Sequence, residues 1–286
     1  MSHVFMQRFS TRRTLAIISR RCYSTKDSTT HFGYKEVPIV EKENLVKGVF
    51  SSVASSYDVM NDAMSFGIHR LWKDDFVSTL DPGNDIVGVK TKCIDVAGGT
   101  GDIALRILDW AREKHADRDL SVDVVDINPD MLEEGRRRFR QTITTNILPG
   151  RQCTRPGEGQ FPSNTYDLYT IAFGIRNCTS VPDVLSEAYR VLKPGGTFAC
   201  LEFSRVSNPL LAQAYDTYSF SIIPLLGSII ASDRASYQYL VESIRRFPPQ
   251  EEFSNMIKAA GFQISRKGGW RDLWGGIACV HTGVKV

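Results

Sequence analysis

Three glycines within four positions, Gly98, Gly99 and Gly101, restrict what this chain can fold into more than any other feature of its sequence. They lie in Asp95-Val96-Ala97-Gly98-Gly99-Thr100-Gly101-Asp102, after the short apolar run Cys93–Val96. A helical pattern over Ile103–His115 follows, carrying Ile103, Leu105, Ile107 and Leu108. A second apolar run comes at Val122–Ile127. Strand, glycine turn, helix and strand in that order form a βαβ unit, which puts two parallel strands into one sheet. Backbone without Cβ atoms at the start of a helix lets a ligand reach unpaired N–H groups. An α/β fold with a ligand at the carboxyl edge of its strands is expected.

The alternation continues to the end of the chain. Tyr166–Phe173 reads as a strand, Pro182–Leu192 as a helix stopped by Lys193-Pro194-Gly195-Gly196, and Thr197–Phe203 as a strand. A helix over Glu251–Ala260 with a Gly261 stop precedes strands near Phe262–Arg266 and Ile277–Lys285. Residues 91–286 are therefore read as one domain. Two segments break the rhythm. An apolar, aromatic-rich helical insertion spans about 205–248, and Thr142–Ser163 lacks both the period and the apolar residues for the strand expected there.

Two cofactors suit the glycine loop. Gly99-x-Gly101-x-x-Ala104 satisfies the dinucleotide fingerprint, and Asp126 stands where an acid holds ribose hydroxyls. The carboxylates Asp95 and Asp102 point instead to S-adenosylmethionine, since they match a sulfonium and an ammonium and repel a pyrophosphate. On the loop alone an NAD(P)-dependent oxidoreductase remains the rival.

Charge separates the amino terminus from the rest. Residues 1–26 hold Arg8, Arg12, Arg13, Arg20, Arg21 and Lys26 and no acid, the composition of a mitochondrial transit peptide, with a cleavage-like Arg21-Cys22-Tyr23-Ser24. Removing those six from 35 basic residues leaves 29 against 32 acidic ones, a balance of −3. That argues against nucleic acid as a partner. The six cysteines are scattered without metal or disulfide spacing, so no metal is expected. Phe220–Ile230 is too short to span a bilayer and is broken by Pro224 and Gly227, so membrane contact would be peripheral.

Upstream, Phe50-Ser51-Ser52-Val53-Ala54-Ser55-Ser56-Tyr57-Asp58-Val59-Met60-Asn61-Asp62 continues through Ser65-Phe66-Gly67-Ile68-His69-Arg70-Leu71-Trp72-Lys73. Downstream lie Phe173-Gly174-Ile175-Arg176-Asn177, Tyr189-Arg190-Val191-Leu192-Lys193-Pro194-Gly195-Gly196, Leu201-Glu202-Phe203-Ser204 and Ser236-Tyr237-Gln238-Tyr239-Leu240-Val241-Glu242-Ser243-Ile244. In this order the blocks resemble the polyprenyl benzoquinol C-methyltransferases of ubiquinone and menaquinone biosynthesis, from about His31 to Val286. The resemblance implies a class I S-adenosylmethionine-dependent methyltransferase (Rossmann-like) fold with a seven-stranded mixed sheet. It implies C-methylation of a polyprenyl methoxy-benzoquinol in ubiquinone biosynthesis, in the mitochondrial matrix against the inner membrane. Other quinone-biosynthesis proteins in a multi-subunit complex, and a homodimer, are the implied partners. Residues 27–90 would form a helical lid over the domain, and the insertion an apolar cover for the isoprenoid tail.

For the site, the resemblance and the loop together place the cofactor on Asp95, Gly98, Gly99, Thr100, Gly101, Asp126 and Ala172, the last standing where relatives often carry Ser. Catalytic candidates are Arg176 and Asn177, past the fourth strand, and His69, whose ordinary pKa suits proton transfer. Arg176 would stabilise a phenolate, or form a packing salt bridge. His69 would be the base, or a structural helix-start residue. Tyr57 and Asp58 would close over the cofactor, and Glu202 adds a pocket carboxylate. The Asn-Ala/Gly-Glu segment that borders the adenine in relatives is missing from 142–163, which leaves a non-catalytic scaffold subunit as the other reading.

Overall fold

The computed structural model describes residues 29–53, 57–84, 90–139, 145–149, 161–225 and 233–286. A seven-stranded sheet is its frame, with strand order β5-β4-β3-β6-β7-β9-β8. These strands are β3 Lys92–Val96, β4 Ser121–Asp126, β5 Thr145–Pro149, β6 Tyr166–Ala172, β7 Leu192–Phe203, β8 Trp270–Leu273 and β9 Ala278–Val284. β3 to β7 run parallel, while β9 pairs antiparallel with both β7 and β8. The expected seven-stranded mixed sheet is therefore present.

Successive strand residues face opposite sides, and the core divides accordingly. Ala199 and Leu201 face one cluster with Ile103, Ile107 and Leu108 of α4 (Asp102–His115). Phe198 and Cys200 face the other with Val184 and Leu185 of α6 (Val181–Val191) and with Phe253 and Ile257. α6 starts at a Ser180 side-chain cap with proline in its first turn, so the segment predicted as helix begins where its capping chemistry allows.

Two expectations need correction. β5 fills the place where Thr142–Ser163 gave no strand signal, paired in parallel with β4 from Thr145 to Pro149. The penultimate strand is Trp270–Leu273; Phe262–Arg266 contributes only one isolated bridge, Gln263 with Val284. Lys193-Pro194-Gly195-Gly196 stops α6 as expected, but it also opens β7, whose pairing with β6 shifts register between Tyr166 and Leu168.

The amino-terminal region adds a hairpin, β1 Thr29–Phe32 with β2 Lys35–Pro38, then α1 Ile39–Val53, α2 Tyr57–Ser65 and α3 Ile68–Leu80. α3 is anchored in the main core, where Trp72, Phe76 and Val77 are buried. α4 and α5 (Pro129–Phe139) follow β3 and β4, as a βαβ chain requires. The insertion is helical: α7 Pro209–Thr217 runs into a π turn at Tyr218–Ile222, and α8 Arg234–Arg246 returns to the sheet. The last helix, α9, is Gln250–Ala259. Residues 1–26, and the 150–160 stretch where the adenine-bordering motif is missing, lie outside the described residues. No helix among the described residues is long and apolar enough to cross a membrane.

Candidate active site

Strand order reverses between β3 and β6, and ligands of open α/β sheets bind in the crevice outside such a switch point. The glycine loop leaves β3 there, and the 3₁₀ turn Ile175–Asn177 follows β6 beside it. Their approach is close: a Cβ on Gly174 would stand 2.5 Å from the Ala97 Cβ. Glycine at 174 thus seats the Arg176–Asn177 turn against the cofactor loop.

Inside the loop, the Gly99 N–H donates to Asp126 Oδ2 at 2.9 Å and the Asn128 N–H to Asp126 Oδ1 at 2.8 Å. Burial raises the Asp126 carboxyl above its ordinary pKa, against the pull of those backbone donors. Asp95, at the end of the same crevice, is 1% exposed. Its Oδ1 accepts the Thr170 hydroxyl at 2.7 Å, whereas Oδ2 is buried without a partner. Burial pushes the Asp95 carboxyl up to about 7, helped by the charges of Asp102 and Asp126. A Cβ on Gly98 would lie 2.7 Å from that unpaired Oδ2 and 2.8 Å from Val124, so only glycine fits where the loop packs on Asp95. An orphaned buried carboxylate oxygen under the glycine loop fits a cationic cofactor and opposes an anionic one. Thr100 is buried in the loop, and Ala172 closes β6 half-buried.

Beyond the carboxyl ends of β6 and β7 lies a cavity of about 280 Å³. Its wall is largely apolar, formed by Trp72, Phe173, Phe203, Ile223, Leu240 and Ile277 with polar groups interspersed. His69, Arg176 and Asn177 all belong to this wall, so the three catalytic candidates are brought together. Phe66 and Trp274 line it too, yet are 80% and 57% exposed, which makes them its mouth.

Arg176 is fixed from several sides. Its Nη1 donates to Glu202 Oε1 at 2.7 Å and to the Phe173 carbonyl at 2.5 Å, and Nε donates to Ser243 Oγ at 3.3 Å. The guanidinium lies over the Phe203 ring, 5.4 Å from its centre. Glu202 is 1% exposed; burial raises its pKa and the Arg176 charge opposes that. Asn177 Oδ1 accepts the Tyr239 hydroxyl at 3.0 Å, and Nδ2 is buried without a partner. Phe32 of the hairpin stacks on Tyr239 at 4.1 Å, so the hairpin braces this wall.

Sequence reasoning passed over Asp62 and Lys73. Asp62 Oδ1 accepts from His69 Nε2 at 2.9 Å, and Arg70 Nε and Nη2 each approach the same carboxylate at 2.7 Å. Lys73 reaches from the cavity wall to Asp102 Oδ2 at 2.7 Å, at the first turn of α4. Burial opposes ionisation of Asp102, and Lys73 with Arg106 outweighs it, holding that carboxyl below its ordinary value. Both missed residues sit in the quoted amino-terminal blocks, but spacing across the α2–α3 turn carries no periodic signal. The side chains of Tyr57 and Asp58 lie outside the described residues.

The sequence profile of the ubiE/COQ5 methyltransferase family matches residues 39–285. A Schizosaccharomyces pombe protein named mitochondrial 2-methoxy-6-polyprenyl-1,4-benzoquinol methylase is 56% identical over 264 residues, covering 92% of this chain and 86% of its own length. A Cereibacter sphaeroides protein named ubiquinone/menaquinone biosynthesis C-methyltransferase UbiE is 50% identical, covering 91% of this chain and 98% of its own. Among solved structures, a Thermotoga maritima SAM-dependent methyltransferase shares the fold with a TM-score of 0.54 at 18% identity, covering 84% of this chain and all of its own.

Proposed function

Since this chain belongs to the ubiE/COQ5 methyltransferase family, we propose that it methylates a ring carbon of a polyprenyl methoxy-benzoquinol with S-adenosylmethionine, in the ubiquinone pathway of mitochondria. The observation that carries the reading is the apolar cavity with an aromatic mouth, whose wall includes the Arg176–Asn177 turn that Gly174 seats against the glycine loop. An aromatic ring bearing a lipid tail matches such a wall, and the names of the relatives match that chemistry.

The cofactor, when bound, supplies a methyl group made electrophilic by its sulfonium. Asp95, Gly98, Gly99, Thr100 and Gly101 would hold its charged end, Asp126 its ribose and Ala172 the edge of β6 beside it. Loss of a hydroxyl at Ala172 removes one hydrogen bond, a matter of about 1 kcal/mol. Arg176 and Asn177 would orient the quinol ring, and the aromatic wall would exclude water. The tail would leave past Phe66 and Trp274, continued by the exposed Leu210, Leu211 and Phe220 of the insertion. That apolar rim supports peripheral contact with the matrix face of the inner membrane, where a lipid-borne quinol resides. Membership of a multi-subunit quinone-biosynthetic complex and homodimerisation belong to the same reading.

Incubation of the purified protein with isotope-labelled S-adenosylmethionine and a short-chain methoxy-benzoquinol, followed by mass analysis, tests it. One methyl on a ring carbon is expected. Absence of both cofactor binding and methyl transfer would leave a scaffold subunit in its place.

A further inference from the structure

We propose that His69, oriented by Asp62, is the general base that takes the phenolic proton of the quinol, an inference that rests on the function proposed above. The geometry is that of a base with its orienting acid. His69 is the second residue of α3, 7% exposed and part of the cavity wall. Its Nε2 lies 2.9 Å from Asp62 Oδ1, so Nε2–H donates to the carboxylate and Nδ1 carries the lone pair. That Nδ1 is buried without a partner. Asp62 is kept ionised well below the usual carboxylate range, first by its bonds from Arg70 and then by that from His69.

The other charged groups around the ring set its protonation state. Burial and the Lys73 ammonium, one turn along α3, lower the imidazole below its ordinary 6.5, while Asp62 from α2 and Asp102 from α4 pull the other way. The net effect is a neutral ring near pH 7, able to accept a proton. Other ionisable residues of the wall do not offer this. Arg176 has no lone pair to give and is tied to Glu202. Lys73 is paired with Asp102. Burial raises Tyr215, Tyr218 and Tyr239, keeping their protons on.

A matching donor stands in the same wall. Asn177 Nδ2 is buried and unpartnered, while its Oδ1 is held by Tyr239. One unmatched acceptor and one unmatched donor, both buried on residues of one mainly apolar wall, complement a phenol that must become a phenolate. The phenolic oxygen gives its proton to Nδ1 and pushes its charge into the ring. The ring carbon then bonds the methyl as the methyl–sulfur electron pair returns to sulfur. Loss of the ring C–H proton restores aromaticity while the imidazolium returns its proton to the oxygen. Net, one proton is released per methyl transferred.

Turnover is measured against pH for the wild type, His69→Gln and Asp62→Asn, with quinol KM and cofactor affinity determined for each. The wild type should lose turnover on the acid side as His69 protonates. His69→Gln should lower kcat by about 10²- to 10³-fold and abolish that acid limb, with much smaller changes in KM and cofactor affinity. Asp62→Asn should lower kcat and move the limb to lower pH, because removing the carboxylate weakens the imidazolium; a purely structural Asp62 would leave the limb in place. If His69→Gln does not fold, the Asp62→Asn shift decides alone. A folded His69→Gln enzyme within threefold of wild-type kcat, or an unmoved limb in Asp62→Asn, overturns the base and leaves the methylation reading standing. A wild-type protein inert on every quinol overturns that reading, and the base with it.

Discussion

Replacing Arg176 by alanine tests how the turn beyond β6 is held. The substitution leaves Glu202, 1% exposed, without the counter-charge now 2.7 Å away. Removing one partner of a buried ion pair costs about 3–5 kcal/mol, because the remaining charge keeps its desolvation penalty. The lower end is expected here, since Glu202 retains the Phe203 N–H at 2.9 Å and the Arg176 backbone N–H at 3.5 Å. Against a total stability of about 5–15 kcal/mol, the variant should still fold but stand close to the edge. Urea unfolding of the wild type, Arg176→Ala and Arg176→Ala/Glu202→Gln would measure it at matched slopes. The second substitution should recover part of the loss, as a neutral amide tolerates burial better than a lone carboxylate. The deficit should also depend on pH. In the variant the folded-state pKa of Glu202 rises further above its unfolded value, so the folded state binds the extra proton and the deficit shrinks as pH falls towards about 4.5. A loss under about 1 kcal/mol, independent of pH, would refute the buried-pair argument and return Arg176 to a purely catalytic role, in which turnover falls while stability holds.

Asp126→Ala should weaken S-adenosylmethionine binding by roughly 1–3 kcal/mol, the range for losing a charged hydrogen-bond partner; unchanged affinity by calorimetry in a folded variant removes Asp126 from the site. Because burial pushes Asp95 up to about 7, its ionised form disfavours the empty fold increasingly between its ordinary 3.8 and that value. A cationic cofactor relieves this, so its affinity should rise with pH through about 7, with protons released in calorimetry across buffers of different ionisation heat; pH-independent affinity sinks the assignment. Protein isolated from its own mitochondria should start near residue 24, and an intact Met1 in a cytosolic pool would refute the transit peptide.

The glycine loop, its flanking strands and Asp126 were legible because a βαβ unit is encoded locally, within the span from Cys93 to Ile127. Edges were not. β5 is held by backbone bonds along one side only, to β4, so it needs no doubly buried apolar run. β8 is likewise an edge, and its central residues Arg271 and Asp272 are exposed, while Phe262–Arg266 reads as a strand because Phe262 is buried for another reason. Within the site, residue types pointed to His69, Arg176 and Asn177, but not to what each one touches. Whether Arg176 meets solvent, substrate or Glu202 depends on β7 lying beside β6, a contact 26 residues away in sequence. Asp62 shows the same limit, since its bond to His69 spans the turn between two helices.

How the two halves of the site stay in register follows from the spacing of one helix. His69, Trp72, Lys73, Phe76 and Val77 fall at helical intervals on the buried face of α3. Phe76 and Val77 fix that face into the sheet core, so the helix cannot shift without opening the core. One turn closer to the amino end, Lys73 binds Asp102 at the start of α4, and Trp72 packs edge-on against Phe203 at the end of β7. The next turn carries His69 against the cavity. The helix thus ties core, cofactor loop and substrate wall together, whereas α2 meets it through the Asp62 carboxylate and the Ser65 hydroxyl, and the insertion reaches α2 through the 2.8 Å bond from the Tyr218 hydroxyl to the Met64 carbonyl. The exposed Phe66 and Trp274 put the expected entry for a lipid-tailed ring on the α2–insertion side. The cofactor loop and His69 would keep their spacing throughout, as a methyl transfer that depends on sub-ångström alignment requires.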